Sequence, residues 1–422
     1  MFAKSYLQQG KDPRRSWPIV EYLTSLRLDM SSNAAFKESS KIQLLHNCIL
    51  EAGWHFQFDK PIIADFLGHL DHPYKGVREA MGQTMSSLFR ASYHESYRDV
   101  KTLMDAQHAA SSIGTVPYQP SPDFTALMKD VFTRLEKWRH ERPPGQQSQS
   151  SYTAGSKTVL LWLDTCLTSY ECTTLLPFFP TLFMSEMLHM MDVKEDPELM
   201  TLAYHVFRHL PNIPHPPGQD VDFINSLIRI GKTATSWHQR LRIQINIQVI
   251  YFRRLFLISQ QQQQDLFTCV SEMLEDTQLE VRLGAATSLS GMIRCSPVRI
   301  RDKMLDYLKK KFTKKLIDNP LPKKTGYGTP TPDYTRVTII RHAAVLGLGA
   351  LVQAFPYQSP PQRWLPEVLA TLAVRAAGDP GMVGKSVKTA LSEFKKTRQD
   401  TWHVDMKVVL FPPSLHFLKG VT

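Results

Sequence analysis

Three stretches of this chain are written on one template, and that repetition constrains the fold more than any other feature. DHPYKGVREAMGQTMSSLF begins at Asp71, DTQLEVRLGAATSLSGMI at Asp276 and DPGMVGKSVKTALSEF at Asp379. Each opens on Asp, follows with a Val and a nearby basic residue, and continues through small residues to a large apolar one. DPELMTLAYHVFRHL, from Asp196, is a looser copy. An Asp at a helix start accepts from free backbone N–H groups and suits the helix dipole. Small residues let a neighbouring helix approach, and the large ones fill the shared core. The Asp positions are separated by 125, 80 and 103 residues (196 − 71, 276 − 196, 379 − 276). The first two gaps are near multiples of a period of roughly 40, and loop insertions account for the third. A helix pair of that length cannot bury its apolar face alone, so neighbours must stack. The template therefore predicts an all-α fold of the HEAT/armadillo-like kind. This is a right-handed α-solenoid of stacked antiparallel helix pairs, about ten of them over the chain. The alternative is an irregular all-α domain without repeat symmetry.

Helical periodicity recurs outside the template. Leu44, Leu45, Cys48, Ile49 and Ala52 form one apolar stripe. Phe124, Leu127, Met128, Val131, Phe132 and Leu135 form another, with Pro122 near its start, and Leu266, Val270, Met273 and Leu274 a third. Breaks fall at Arg142-Pro143-Pro144-Gly145 with the Gln/Ser run to Gly155, at Pro211–Gly218 and at Asn319–Pro332. The pattern divides the chain into N-terminal HEAT-like helices (1–141), a flexible linker (142–156), C-terminal HEAT-like helices (157–402) and an atypical tail (403–422). The five glutamines Gln260–Gln264 read as a helix-linking loop.

Composition and motifs then narrow the function. The five cysteines, Cys48, Cys166, Cys172, Cys269 and Cys295, contain no CxxC and read as reduced buried thiols. The N-terminus lacks a signal-peptide core, and no run approaches the roughly 18 apolar residues of a membrane span, so a soluble intracellular protein without a membrane partner is expected. The chain has no GxxxxGK[ST], no strand-linked GxGxxG, no HExxH and no GxSxG. Gly347 and Gly349 form a GxG inside HAAVLGLGALV, which reads as a packing helix. His205 and His209 share a helix face but lack a carboxylate nearby in sequence, so no metal site is assigned. No catalytic residue is assigned either, and a non-catalytic scaffold is expected.

Charge is concentrated. The formal net charge is +11, and the segment from Arg294 to Lys324 holds eleven basic and three acidic residues, 11 − 3 = +8. Within it Lys309, Lys310, Lys311, Lys314, Lys315, Lys323 and Lys324 are candidates for polyanion binding or a nuclear signal. A solvated helix face followed by an exposed loop is the alternative. Aromatics are not interleaved, which argues against a single-strand stacking platform, and nothing points directly to nucleic acid.

SEMLEDTQLEVRLGAATSLSGMIRC (Ser271–Cys295), RHAAVLGLGALVQAFPY (Arg341–Tyr357) and VKTALSEFKKTRQDTW (Val387–Trp402) resemble, in order and spacing, the C-terminal region of the large HEAT-repeat proteasome activator family. The resemblance is specific over Trp237–Trp402 and weaker from Phe58 to Leu210, where DHPYKGVRE carries it. It implies a helical dome that docks on the end ring of the proteasome core particle and promotes peptide hydrolysis without ubiquitin or ATP. It also implies residence in nucleus and cytoplasm, with links to DNA repair. Inositol polyphosphates bind basic openings in such domes, which makes Lys309–Lys315 a candidate lining. Mammalian members recognise acetylated histones through an Asn-Phe pair. The comparable segment, Val249–Phe256, has no Asn but offers Tyr251, Phe252 and Phe256 as acetyl-lysine pocket candidates. The family tail ends in a hydrophobic residue, Tyr and any residue. This chain ends Leu418-Lys419-Gly420-Val421-Thr422, which implies weak core binding and no tail-driven gate opening. Another HEAT adaptor, such as a transport receptor or chromatin-associated scaffold, is the alternative function.

Overall fold

The computed structural model describes Arg27 and residues 35–52, 60–93, 120–142, 150–168, 173–213, 219–321, 332–358 and 360–402. The expected tail, Lys323 and Lys324 lie outside them. Among the described residues there is no strand. The fold class is all-α, with helices packed as neighbouring pairs in the HEAT-like manner.

The chain divides into two compact units, Met1–Ser226 and Leu227–Thr422. The first contains α1 (Ala35–Ala52), α2 (Lys60–Gly68), α3 (Lys75–Tyr93), α4 (Pro122–Glu141), α5 (Ser151–Thr168), α6 (Met184–Met190) and α7 (Pro197–His209). The boundary falls inside α8 (Gln219–Thr233). The second contains α9 (Trp237–Arg253), α10 (Gln260–Met273), α11 (Leu279–Cys295), α12 (Val298–Asp318), α13 (Pro332–Ala354), α14 (Leu365–Ala376) and α15 (Met382–Lys396). Alternate helices touch in series. In the first unit the row is α1–α3–α5–α7, and in the second it is α9–α11–α13–α15. The second row begins at residues 237, 279, 332 and 382, a step that starts near the repeat length and grows where loops are inserted.

The template residues do work that their spacing did not reveal. Only Asp196 caps its helix, accepting from Leu199 N at 3.0 Å. Asp71, Asp276 and Asp379 sit ahead of helices that begin at Lys75, Leu279 and Met382, so they are not caps. Asp276 instead receives Arg240 Nε at 2.6 Å and Nη2 at 3.0 Å. Asp379 receives Arg341 Nε at 2.7 Å. In two copies the basic residue is a staple to the preceding turn. Arg78 Nη1 donates to the carbonyls of His72 (2.6 Å) and Pro73 (2.9 Å). Arg240 does the same to Ala234 (2.7 Å) and Thr235 (3.1 Å), and Arg282 to Asp276 (2.7 Å) and Thr277 (2.9 Å). In all three the acceptors lie six and five residues back. Carbonyls orphaned between helices thus gain charge-assisted partners.

Two further expectations are corrected. Gln260–Gln264 is the first turn of α10 rather than a loop. Ser259 and Gln262 form a capping box, and Gln263 Nε2 donates to the Leu255 carbonyl at 2.8 Å. The stretch expected to be flexible as far as Gly155 is helical from Ser151. Tyr152–Ser156 are buried, and Gly155 lies against Trp138 with no room for a side chain. Among the described residues one helical stretch, Asp333–Ala354, is long and apolar enough to cross a membrane by length and composition. In the fold 78% of its most apolar part is buried, where α13 packs between α11, α12, α14 and α15.

Candidate functional site

The basic segment folds as α12, and packing sorts its charges. Met304, Leu305, Leu308, Phe312 and Leu316 face the core. Three of the candidate lysines are engaged by neighbours. Lys309 lies 3.6 Å from Asp306 and 3.9 Å from Glu367. Lys315 pairs with Glu275. Lys311 donates to Ser271 Oγ at 2.9 Å, with its ammonium 5.5 Å from the ring centroids of Tyr307 and Phe312. Burial, and then the neighbouring Lys315, pull the Lys311 ammonium below its ordinary range. Arg294 caps the end of α13 through the Ala354 and Gln353 carbonyls at 3.1 and 3.0 Å, and Arg301 stacks 5.3 Å from the Phe355 ring centroid.

What remains facing solvent is Arg299, Lys303, Lys310 and Lys314. Their spacings of four, seven and four put them on one face of the helix, along about 22 Å at 1.5 Å per residue. Lys310 and Lys314 line a 360 Å³ groove with Lys309, Asp306, Asp318 and Glu367. Arg299 and Lys303 line a second, of 220 Å³, with four glutamines of α10. The stripe is a ladder of separated cations, with Asp306 partway along it, and suits an extended or multiply charged anion better than a single phosphate.

The aromatic candidates diverge. Tyr251 is fully buried and its hydroxyl shares a 2.7 Å hydrogen bond with Ser296 Oγ. Phe252 and Phe256 are 67% and 88% exposed. An acetyl-lysine cage needs its aromatics on one surface, and here Tyr251 lies in the core while the two phenylalanines face solvent.

In the first unit a groove of 590 Å³ lies between α3, α5 and α7, lined by Lys75, Lys157, Glu198 and His205 among others. Lys157 and Lys75 hydrogen-bond the Glu198 carboxylate at 2.8 and 2.6 Å and hold it down to about 2. Beside it, the fold supplies the carboxylate that the sequence around His205 and His209 lacks. Asp164 of α5, 41 residues upstream, puts Oδ1 3.4 Å from His205 Nε2. No local signal announced that pairing.

The comparisons with known proteins agree on one family. A profile described as "Proteasome activator complex subunit 4-like, C-terminal" matches residues 338–421, from α13 through α15 and beyond the described residues. Proteasome activator BLM10 of Saccharomyces cerevisiae is 26% identical over 89% of this chain and 17% of its own length. Human proteasome activator complex subunit 4 is 27% identical over 93% of this chain and 21% of its own. Proteasome activator subunit 4 of Arabidopsis thaliana is 27% identical over 44% of the chain and 10% of its own. The chain is similar to the C-terminal region of proteasome activators. It spans about a fifth of the length of the full curated relatives it matches. Helix α12 with its outward cations sits one helix ahead of the segment matched by the profile.

Proposed function

We propose that this chain serves as a non-catalytic scaffold, the C-terminal part of an activator that caps the end ring of the proteasome core particle. In this reading it promotes peptide hydrolysis without ubiquitin or ATP, in nucleus and cytoplasm. The observation that carries the reading is similarity to proteasome activators over about nine-tenths of the chain. The stripe Arg299, Lys303, Lys310 and Lys314 is its polyanion-receiving face, and an inositol polyphosphate has the charge density to bridge those cations. The same stripe favours a second reading, a HEAT adaptor for an acidic partner or nucleic acid. The test is recovery of the native protein from its source, probed for core α-subunits, followed by a fluorogenic peptidase assay on purified core particle without ATP. Co-recovery and faster hydrolysis support the activator; recovery of nucleic acid without core α-subunits supports the adaptor instead.

A further inference from the structure

The cluster of Asp164, His205 and His209 has a metal site's composition and nearly its geometry. His205 and His209 lie four apart on α7, so both imidazoles project from one face. Their ring centroids are 4.8 Å apart and the rings meet edge to face at 72°. Asp164 reaches the same point from α5, the helix that packs against α7. One donor atom from each of the three lies within 4.8 Å of the others. For zinc bonds of about 2.0–2.2 Å in tetrahedral array, donors sit about 3.4 Å from one another. The Asp164–His205 separation of 3.4 Å already matches that value. The widest separation needs only a side-chain adjustment, for which His205 is exposed and His209 half-buried.

A second observation points the same way. Asp164 Oδ1 is shielded from solvent, and its neighbour His205 Nε2, at 3.4 Å, is not aligned to donate a hydrogen bond to it. A shielded carboxylate oxygen without a donor is costly. A cation held between it and the two imidazoles would satisfy it. Two imidazoles and one carboxylate suit a borderline divalent ion such as Zn²⁺ and do not suit Ca²⁺ or Mg²⁺, which take oxygen donors.

We infer that Asp164, His205 and His209 form a three-ligand site for a Zn²⁺-class divalent transition metal, clamping α5 to α7. Three protein ligands leave a coordination position for water. His205 also lines the 590 Å³ groove, so that position adjoins a cleft bearing Lys75 and Lys157.

The test uses the full 422-residue chain, stripped with a chelator and carrying no histidine tag. ZnCl2 is titrated calorimetrically, and Co²⁺ is followed by its visible d–d absorption. The expected result is one equivalent bound, with four-coordinate Co²⁺ intensity and no binding of Mg²⁺ or Ca²⁺. His205→Ala, His209→Ala and Asp164→Asn should each weaken binding at least about tenfold, while metal-free far-ultraviolet circular dichroism stays that of the parent. Unchanged affinity in Asp164→Asn overturns the site, because the two histidines alone would then be an ordinary surface chelate. One equivalent persisting in the triple variant overturns it as well, by placing the metal elsewhere. His205→Gln, at a 56% exposed position, serves as the variant least able to disturb folding.

Discussion

Two glycines two residues apart on α13 should respond oppositely to the same added methyl group. Gly347 faces the Phe312 ring of α12. A Cβ there would overlap Cε2 and Cδ2, with Cζ at 2.6 Å. Ordinary carbon–carbon contact is about 3.5–4.0 Å, so ring and helix must part by about 1 Å or more. Phe312 is fully buried. Overpacking of this kind costs about 1–3 kcal/mol, and a clash with a locked ring belongs at the upper end. Alanine regains up to about 1 kcal/mol of helix propensity over glycine. The net loss for Gly347→Ala is then about 2 kcal/mol. At Gly349 the added carbon would lie 3.7 Å from Ala390 Cβ, an ordinary contact, so only the gain applies. In a unit of this size 1 kcal/mol shifts Tm by about 2–4 °C. Scanning calorimetry should therefore show Gly347→Ala down by about 4–8 °C and Gly349→Ala up by about 1–4 °C. Phe312→Leu should be less harmful in the Gly347→Ala background than alone. Equal shifts for the two glycine variants would refute the packing argument.

Three further outcomes follow from the described geometry. Binding of inositol hexakisphosphate should weaken steeply with salt. Alanine at Arg299, Lys303, Lys310 and Lys314 should remove most of that slope, whereas alanine at Lys309, Lys311 and Lys315 should lower stability more than it changes the slope. His342 is held down to about 4 by burial and then by the Arg282 guanidinium, whose Nε donates to its Nδ1 at 3.1 Å. It folds neutral, so its contribution is full above the unfolded value near 6.5 and is lost as pH falls toward 4; urea midpoints at pH 7.5 and 5 should converge in His342→Gln. Burial pushes the Asp276 carboxyl up, but hydrogen bonds from Arg240 and the Gln278 N–H outweigh it and hold the group below its ordinary value. Asp276→Asn should therefore cost about 1–3 kcal/mol near neutrality, with the deficit shrinking as pH falls through the carboxylate range, read from urea denaturation.

The fold class was legible because helix periodicity and the Asp–Val–basic template are local signals. The role of the basic residue was not, because its acceptors are carbonyls and carry no sequence identity. The α10 start was legible in principle: Ser259 and Gln262 spell a capping box, but the glutamine run around them has the composition of a loop. Charge summation over Arg294–Lys324 picked out α12 and overcounted its solvent-facing cations. Lys315 is answered by Glu275 and Lys311 by Ser271, each some forty residues away. The same separation hid Asp164 from the histidines. For Lys311, Lys315 and the histidines the missing partner lies about one repeat away, a distance at which single-chain pattern reading has no purchase.

That spacing also ties the candidate surface to the core. Each α12 side chain is set by the rotation of one helix, and its inward side is fixed where Phe312 meets the bare backbone of Gly347. A helix turns about 100° per residue, so a rotation of a few tens of degrees would carry the outward stripe round toward α10 on one side or α14 on the other. Lys310 and Lys314 would then change their distances from Glu367 on α14, which already lies 3.9 Å from Lys309. Gly347→Ala forces α12 and α13 apart at that contact, so it should weaken polyanion binding to a stripe whose charges it leaves untouched. Gly349→Ala should leave the affinity at the parent value. The pair separates a stripe positioned by its helix from a loose cloud of lysines, since a cloud would bind equally well in both variants at temperatures below their transitions.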